Sequence, residues 1–473
     1  MTRLLVDSSA LFSNIGRIGE LMEAHGASWT LVTKVLCGEQ SVVRLLLEHG
    51  IRSIGDSRIL NLKAVHSIDP EAETWYLRPP HLSGIDAVAE LADVSLNSEI
   101  AAIEALGVSA GKLGRTHRVV IMIELGDLRE GVLPGSLVGF YERVFTIPSI
   151  RVIGIGTNLG CLSGAVPTVD QMMQLVLYRE LLELKFGREL PLISAGSTIV
   201  LPLLLEGRVP RRINHFRIGE AAFLGTDLLG GGILEGFRDD AFTLEAEICE
   251  IKEKALTPTV ETAAVMPFEP VQAPRQPAGR TGFRAILNVG QLDTETAGLT
   301  PVDPAHEIAG GSSDVMVVNL GDTRQGLKVG DTVRFRPSYT VAWGSATKIR
   351  KFGKSMFSNR LGGISAKSRL GWTVSRSFCG RRSRSLLRND LSLSPLRKRS
   401  LWSGDAPRLH LGDAGGGGGA MRGIMAATIS LLLAASCGGS RKSPAAGSPR
   451  TCLPHSWPPV PVRPDGGTGH ATR

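Results

Sequence analysis

A TIM-type (β/α)8 barrel followed by a smaller, mostly β domain is the fold class this sequence predicts. Three features predict it. Over roughly the first 235 positions, strand-like and helix-period segments alternate every 20 to 40 residues, a rhythm and length suited to a barrel of about 250 residues. Polar, glycine-containing clusters come directly after the strands, at 34–38, 55–58, 126–131, 157–164, 194–198 and 217–219, and a barrel gathers such loops on the one face where it builds its active site. Beyond about residue 236, strand-like runs continue with no helical run between them. The alternative, an open doubly wound sheet, lacks a GxGxxG after any early strand.

Taken in order, Ser8 opens a segment with Leu11, Ile15, Ile18, Leu21 and Met22 at helical spacing, so a helix is expected over 8–25. The β-rich run Ser28 to Val32 then ends on Thr33-Lys34. A helix near 39–49 follows, then a strand over 51–54, a helix to about His66 and strands over 74–77 and 92–96. The runs 119–125, 151–156 and 190–193 read as buried strands, with a helix over 168–186 between the last two. In the second domain, 241–252, 283–289, 315–320 and 332–335 are strand-like, and the Pro-rich 255–280 reads as a loop. The domain expectation is a barrel over 1–235, a β domain over 236–353, and a low-complexity tail over 354–473 that reads as disordered.

The formal charge of +8 on 473 residues is unevenly spread. From residue 351 onward there are 20 Lys+Arg against 4 Asp and no Glu, leaving 33 basic and 41 acidic residues before it. The body is therefore acidic, which argues against nucleic acid as its partner. The tail has five consecutive glycines over 415–419, and Met421-Arg422 leads an apolar stretch into Ser436-Cys437-Gly438 with the layout of a lipoprotein signal. That stretch is too short to span a bilayer and stands far from the start of the chain. It is read as part of a disordered or out-of-frame extension, with a membrane tether as the alternative. The six cysteines show no CxxC or metal-like spacing, so the body is expected to be cytoplasmic with reduced thiols, with no metal and no membrane association.

The candidate chemistry centres on Lys34. A lysine closing a barrel strand can attach an aldehyde cofactor through its amine if the pocket lowers its pKa. Ser194-Ala195-Gly196-Ser197-Thr198 offers hydroxyls and backbone N–H groups suited to a phosphate, and Arg217-Ile218-Gly219-Glu220-Ala221 joins an arginine to a glycine that lets N–H groups approach an anion.

These segments resemble the fold-type III pyridoxal-phosphate enzymes, the alanine racemase N-terminal-domain superfamily, and within it the ornithine racemase-like branch. The resemblance rests on Thr33-Lys34-Val35-Leu36-Cys37-Gly38, Gly55-Asp56-Ser57-Arg58, Glu124-Leu125-Gly126-Asp127-Leu128-Arg129-Glu130-Gly131, Gly156-Thr157-Asn158-Leu159-Gly160-Cys161, Ser194-Ala195-Gly196 and Ile213 to Ala221. Looser matches are Gly311 to Asp314 and Pro337-Ser338-Tyr339. It implies pyridoxal 5'-phosphate as cofactor, a homodimer, and a racemase that interconverts L- and D-amino acids such as ornithine, lysine or alanine by two-base transfer of the α-proton. By the same resemblance Lys34 would hold the cofactor as a Schiff base and act as one acid/base. Arg129 would lie near the phenolic oxygen and Asn158 against the ring. Thr198, the backbone of Gly219 and Glu220, and Tyr339 would contact the phosphate, and Arg217 would face the pyridine nitrogen. The second base is not assigned; Asp293 and Asp314 are candidates. Glu124, Asp127, Asp293 and Asp314 are carboxylates that could receive a basic side chain. The sequence departs from the family at Ser197, where an asparagine is usual, over 255–275, and at Gln291-Leu292-Asp293, which matches only in part. A non-catalytic cofactor carrier and a lyase of the D-threonine aldolase kind are the competing readings.

Overall fold

The computed structural model describes residues 2–260 and 279–342; the tail and most of the Pro-rich segment lie outside them. The first strand, β1 (Arg3–Val6), precedes the barrel. Eight parallel strands then close on themselves: β2 (Ser28–Val32), β3 (Ser53–Asp56), β4 (Glu73–Tyr76), β5 (Val94–Asn97), β6 (His117–Met122), β7 (Ile150–Thr157), β8 (Leu192–Ala195) and β9 (His215–Ile218). The barrel expected from the alternating pattern is thus present, and each expected strand falls within a few residues of an observed one.

Local signals set the helices that cover it. In the helix Ser8–His25, Asp7 accepts the Ala10 N–H at 2.9 Å, and Gly26 closes the helix in the left-handed region at φ 75°. Helix Val169–Phe186 starts with a reciprocal capping box between Thr168 and Gln171. Leu11, Ile15, Ile18 and Met22 of the first of these helices are all buried, as the 3.6-residue period requires.

A second sheet follows: β10 (Phe242–Ala255), β11 (Thr281–Leu287), β12 (Leu299–Pro301), β13 (Glu307–Gly311), β14 (Met316–Gly321) and β15 (Thr332–Pro337). They pair in the order β12-β15-β10-β11-β14-β13, and β1 joins the edge of β10 antiparallel. Buried Glu245 on β10 fixes this arrangement, accepting from Arg3 on β1 at 2.8 Å and Arg334 on β15 at 2.9 Å. The start of the chain therefore belongs to the β sheet in space.

The barrel interior is apolar on one side and polar on the other. Trp75, Val94, Leu96, Val120 and Met122 form an interior cluster distinct from the main core. Thr30, Ser194, His215 and Arg217 occupy the other side and are all buried. Trp75 stacks on His215 at 4.5 Å, a contact between strands that are not neighbours and hence across the lumen. On β7, Gly154 and Gly156 alternate; a Cβ at Gly156 would stand 2.8 Å from the Ser194 carbonyl oxygen. This close approach of β7 and β8 draws their C-terminal loops together.

Two interior histidines make the fold acid-sensitive. Burial, reinforced by Arg217, pulls His215 down to about 3, and burial with Arg115 alongside pulls His117 down to about 4. In the unfolded chain both take up protons near pH 6.5. Lowering the pH below that value therefore favours the unfolded state, while above it both histidines are neutral in either state and the effect vanishes. Between pH 7 and pH 5 each histidine is expected to remove about 2 kcal/mol of stability. Urea midpoints across that range should fall, and His117→Gln should flatten the slope; a wild-type midpoint independent of pH would contradict this.

Candidate active site

Lys34 is placed by the strand before it and the loop beside it. The Thr33 N–H bonds to the Gly55 carbonyl at 2.9 Å, continuing the β2–β3 pairing one residue further. The chain then makes one 3-10 turn, Lys34–Leu36, that closes on Cys37 at φ 51°. Asp56 anchors this turn: it accepts from the Thr33 hydroxyl at 3.3 Å, from Asn61 Nδ2 at 3.1 Å and from the Arg58 N–H at 2.9 Å. Burial raises the Asp56 carboxyl above its ordinary range, and these hydrogen bonds and the Lys34 charge oppose the rise. Gly38 is needed here, because its φ is 70° and a Cβ would stand 2.9 Å from Asn61 Oδ1. The Lys34 amine makes no hydrogen bond or ion pair among the described residues. Burial lowers its pKa, opposed by Cys161 and Asp56 and assisted by Arg129 and Arg217. A larger neutral fraction makes it a better nucleophile and base.

The C-terminal ends of all eight barrel strands open on a cavity of about 740 Å³. Lys34, Arg129, Asn158, Thr198, Arg217, Gly219, Glu220 and Tyr339, the residues expected from the sequence, all line it. Tyr339 comes from just after β15, so the β domain closes one side. Its hydroxyl lies beside Gly219, where a Cβ would approach to 3.3 Å, and burial raises its pKa. Thr198 accepts the Ala221 N–H at 3.1 Å and so ties the loop after β8 to the turn after β9.

The loops after β6 and β7 are locked together. Buried Asp127 accepts from the N–H groups of Cys161 at 2.9 Å and Leu162 at 3.0 Å. Glu124 accepts from the N–H groups of Gly126, Leu128 and Arg129. Both carboxylates are thus committed to shaping loops, as is Asp293, which accepts the Gly290 N–H at 3.1 Å; Asp314 takes the neighbouring Ser313 hydroxyl at 2.7 Å. None of these four lines the cavity.

Glu130 and Arg217 organise what does face inward. The Glu130 carboxylate holds Arg129 through both oxygens and accepts from Asn158 Nδ2 at 2.6 Å. Asn158 Oδ1 in turn accepts from Arg217 Nη2 at 2.8 Å. Arg217 spends its other terminal donors on the Thr157 carbonyl at 2.8 Å, the Ser194 carbonyl at 3.0 Å and the Ser194 hydroxyl. Its Nε–H is the one guanidinium donor with no partner among the described residues. Burial lowers the Arg217 pKa to about 10, so it remains charged at neutral pH and donates without giving up a proton.

Ser197, one of the hydroxyls suited to a phosphate, also lines the cavity, as do Glu130, Cys161, Ser57 and Arg78, to which the sequence assigns no role. For Glu130 the signal was present in its place beside Arg129. For Ser57 and Cys161 the signal is their place after a strand in segments that carry the family resemblance. Arg78 follows β4 with no polar cluster to mark it.

Comparison with known proteins accords with this geometry. The family model described as alanine racemase, N-terminal domain, matches residues 6–227. An ornithine racemase from Acetoanaerobium sticklandii is 33% identical over 342 residues, covering 71% of this chain and 94% of that protein. A lysine racemase from Thermotoga maritima is 31% identical over 338 residues, covering 72% and 94%. Among solved structures, a D-threonine aldolase from Filomicrobium marinum superposes with a TM-score of 0.55 at 15% identity, covering 73% of this chain and 89% of that one; likeness at that identity concerns the fold alone.

Proposed function

Because the chain belongs to the alanine racemase N-terminal-domain family, we propose that it is a pyridoxal 5'-phosphate-dependent amino-acid racemase acting on ornithine, lysine or a similar amino acid. The observation that carries the reading is one cavity holding a lysine amine without a partner and, from Arg217, a single uncommitted N–H. The chemistry of the donor set fits the cofactor: an amine for its aldehyde, a guanidinium N–H for its ring nitrogen, and hydroxyls with backbone N–H groups for its phosphate. When bound, pyridoxal 5'-phosphate supplies an electron-withdrawing ring that acidifies the Cα–H bond of an attached amino acid.

The side chains take their parts from their surroundings. Lys34, with its lowered pKa, would hold the cofactor and could take or return a proton at its amine. Arg217, which donates without giving up its own proton, would face the ring nitrogen and leave it unprotonated, so that the ring would withdraw electrons only moderately. This suits prompt return of a proton over longer rearrangements. Arg129, steadied by Glu130, would stand near the phenolic oxygen, and Asn158, which bridges Glu130 and Arg217, would lie against the ring. Thr198, Tyr339 and the backbone of Gly219 and Glu220 would hold the phosphate. The competing carrier reading gains nothing from the β domain, which contributes Tyr339 to the cavity. A homodimer in the cytoplasm belongs to the same proposal.

Chiral chromatography of the full chain loaded with cofactor and given pure enantiomers of ornithine, lysine and alanine tests the reading. Ornithine or lysine should racemise with kcat/KM about tenfold or more above alanine. Stable cofactor binding with no racemisation of any of them would favour the carrier.

A further inference from the structure

Behind Arg217 a single file of hydrogen bonds crosses the barrel. Arg217 Nη1 donates to Ser194 Oγ. Ser194 Oγ lies 2.7 Å from His215 Nδ1, and His215 Nε2 lies 3.1 Å from Thr30 Oγ1. Thr30 Oγ1 is 2.8 Å from Ser53 Oγ, which donates to Glu73 Oε2 at 3.1 Å. Glu73 also accepts from Trp75 Nε1 at 2.8 Å and Arg118 Nη1 at 2.9 Å.

The two ends are chemically one-sided. A guanidinium only donates and a carboxylate only accepts, while each hydroxyl and a neutral imidazole brings one proton to the file. The directions are therefore forced: Ser194 accepts from Arg217 and donates to His215 Nδ1, His215 Nε2–H donates to Thr30, Thr30 to Ser53, and Ser53 to Glu73. If His215 carried its proton on Nδ1, Thr30 would have to donate to Nε2 and Ser53 to Thr30, leaving the Ser53–Glu73 contact without a proton. An imidazolium would donate to both hydroxyls and leave the Ser194 O–H without an acceptor, and burial disfavours it.

We propose that His215 is a positioning residue for Arg217: fixed as the Nε2–H tautomer, it takes the Ser194 proton at Nδ1, so the Ser194 oxygen stays turned toward the guanidinium and Arg217 keeps its Nε–H for the cavity. The functional consequence rests on the reading of Arg217 as the arginine that faces the cofactor's ring nitrogen, but the tautomer does not. Stacking on Trp75 holds the ring plane, and burial keeps the imidazole neutral.

Long-range ¹H–¹⁵N spectra of the full chain labelled at histidine, recorded with and without pyridoxal 5'-phosphate, test the relay. His215 is assigned by the signal lost in His215→Gln, or by its selective change in Ser194→Ala should the first variant not fold. A protonated Nε2 with a bare Nδ1, unchanged from pH 8 to pH 5, is expected. Ser194→Ala should lower kcat roughly 10- to 100-fold with little change in KM and shift the cofactor's absorption maximum, and Ser194→Thr should restore most of both. An Nδ1–H tautomer, an imidazolium at pH 6, or a Ser194→Ala protein with wild-type kcat and absorption would overturn the proposal. Absence of racemisation in the wild type would instead count against the racemase reading, and the tautomer would still decide the relay.

Discussion

Replacing Lys34 by alanine is expected to abolish covalent retention of pyridoxal 5'-phosphate and to lower racemisation at least about 10³-fold, while leaving the fold intact. The two halves of this expectation have different sources. Chemically, no other lysine lines the cavity, so nothing among the described residues could take over the amine's part. Structurally, the amine satisfies no acceptor, and the turn that carries it is held by Thr33 and Asp56. Its removal orphans no buried group, so the urea midpoint should move by no more than about 0.5 kcal/mol equivalent. Borohydride reduction followed by peptide mapping should find the cofactor on Lys34 in the wild type and on no residue in the variant. A reduced adduct at another lysine would contradict the assignment.

Arg217→Lys is expected to damage both chemistry and stability, although it conserves charge. The guanidinium reaches acceptors on two strands at once, the Thr157 carbonyl at the end of β7 and the Ser194 carbonyl on β8. An ammonium offers three donors from one point and cannot reproduce that fork. At least one buried acceptor would be left without a partner, at about 1–3 kcal/mol each, and the uncommitted Nε–H would be gone. Racemisation should fall by roughly 10²- to 10³-fold, with a urea midpoint clearly below that of Lys34→Ala. Equal midpoints for the two variants would show that Arg217 is not the structural hub its hydrogen bonds describe.

The contrast between these residues also explains what the sequence made legible. The barrel could be read because its periodicity is local: each βα unit carries its own apolar pattern and its own polar break. Lys34 could be read because a lysine at the end of an apolar strand conflicts with its setting. The strand Arg3–Val6 left no such trace, since its partner β10 stands more than 230 residues away and its pairing depends on Glu245. The relay through Ser194, His215 and Thr30 was equally hidden, because it arises from the register of neighbouring parallel strands and from a ring stacked across the lumen. Glu124 and Asp127 read as available for a substrate; both Glu124 oxygens and Asp127 Oδ1 accept from backbone N–H groups of loops whose shape a sequence does not disclose. Residue types thus pointed to side chains that line the cavity, and only the fold separates carboxylates that face it from those that build its walls.

The central claim is tested most directly by hydrogen exchange at Cα. The full chain, loaded with pyridoxal 5'-phosphate in deuterated water, is given each pure enantiomer of ornithine and lysine in turn. NMR and chiral chromatography then follow deuterium at Cα and the appearance of the opposite enantiomer. The account predicts that the enantiomer formed from either starting hand carries one deuterium at Cα, with exchange and inversion both lost in Lys34→Ala. Cofactor bound at Lys34 with no deuterium entering Cα of either enantiomer would contradict it.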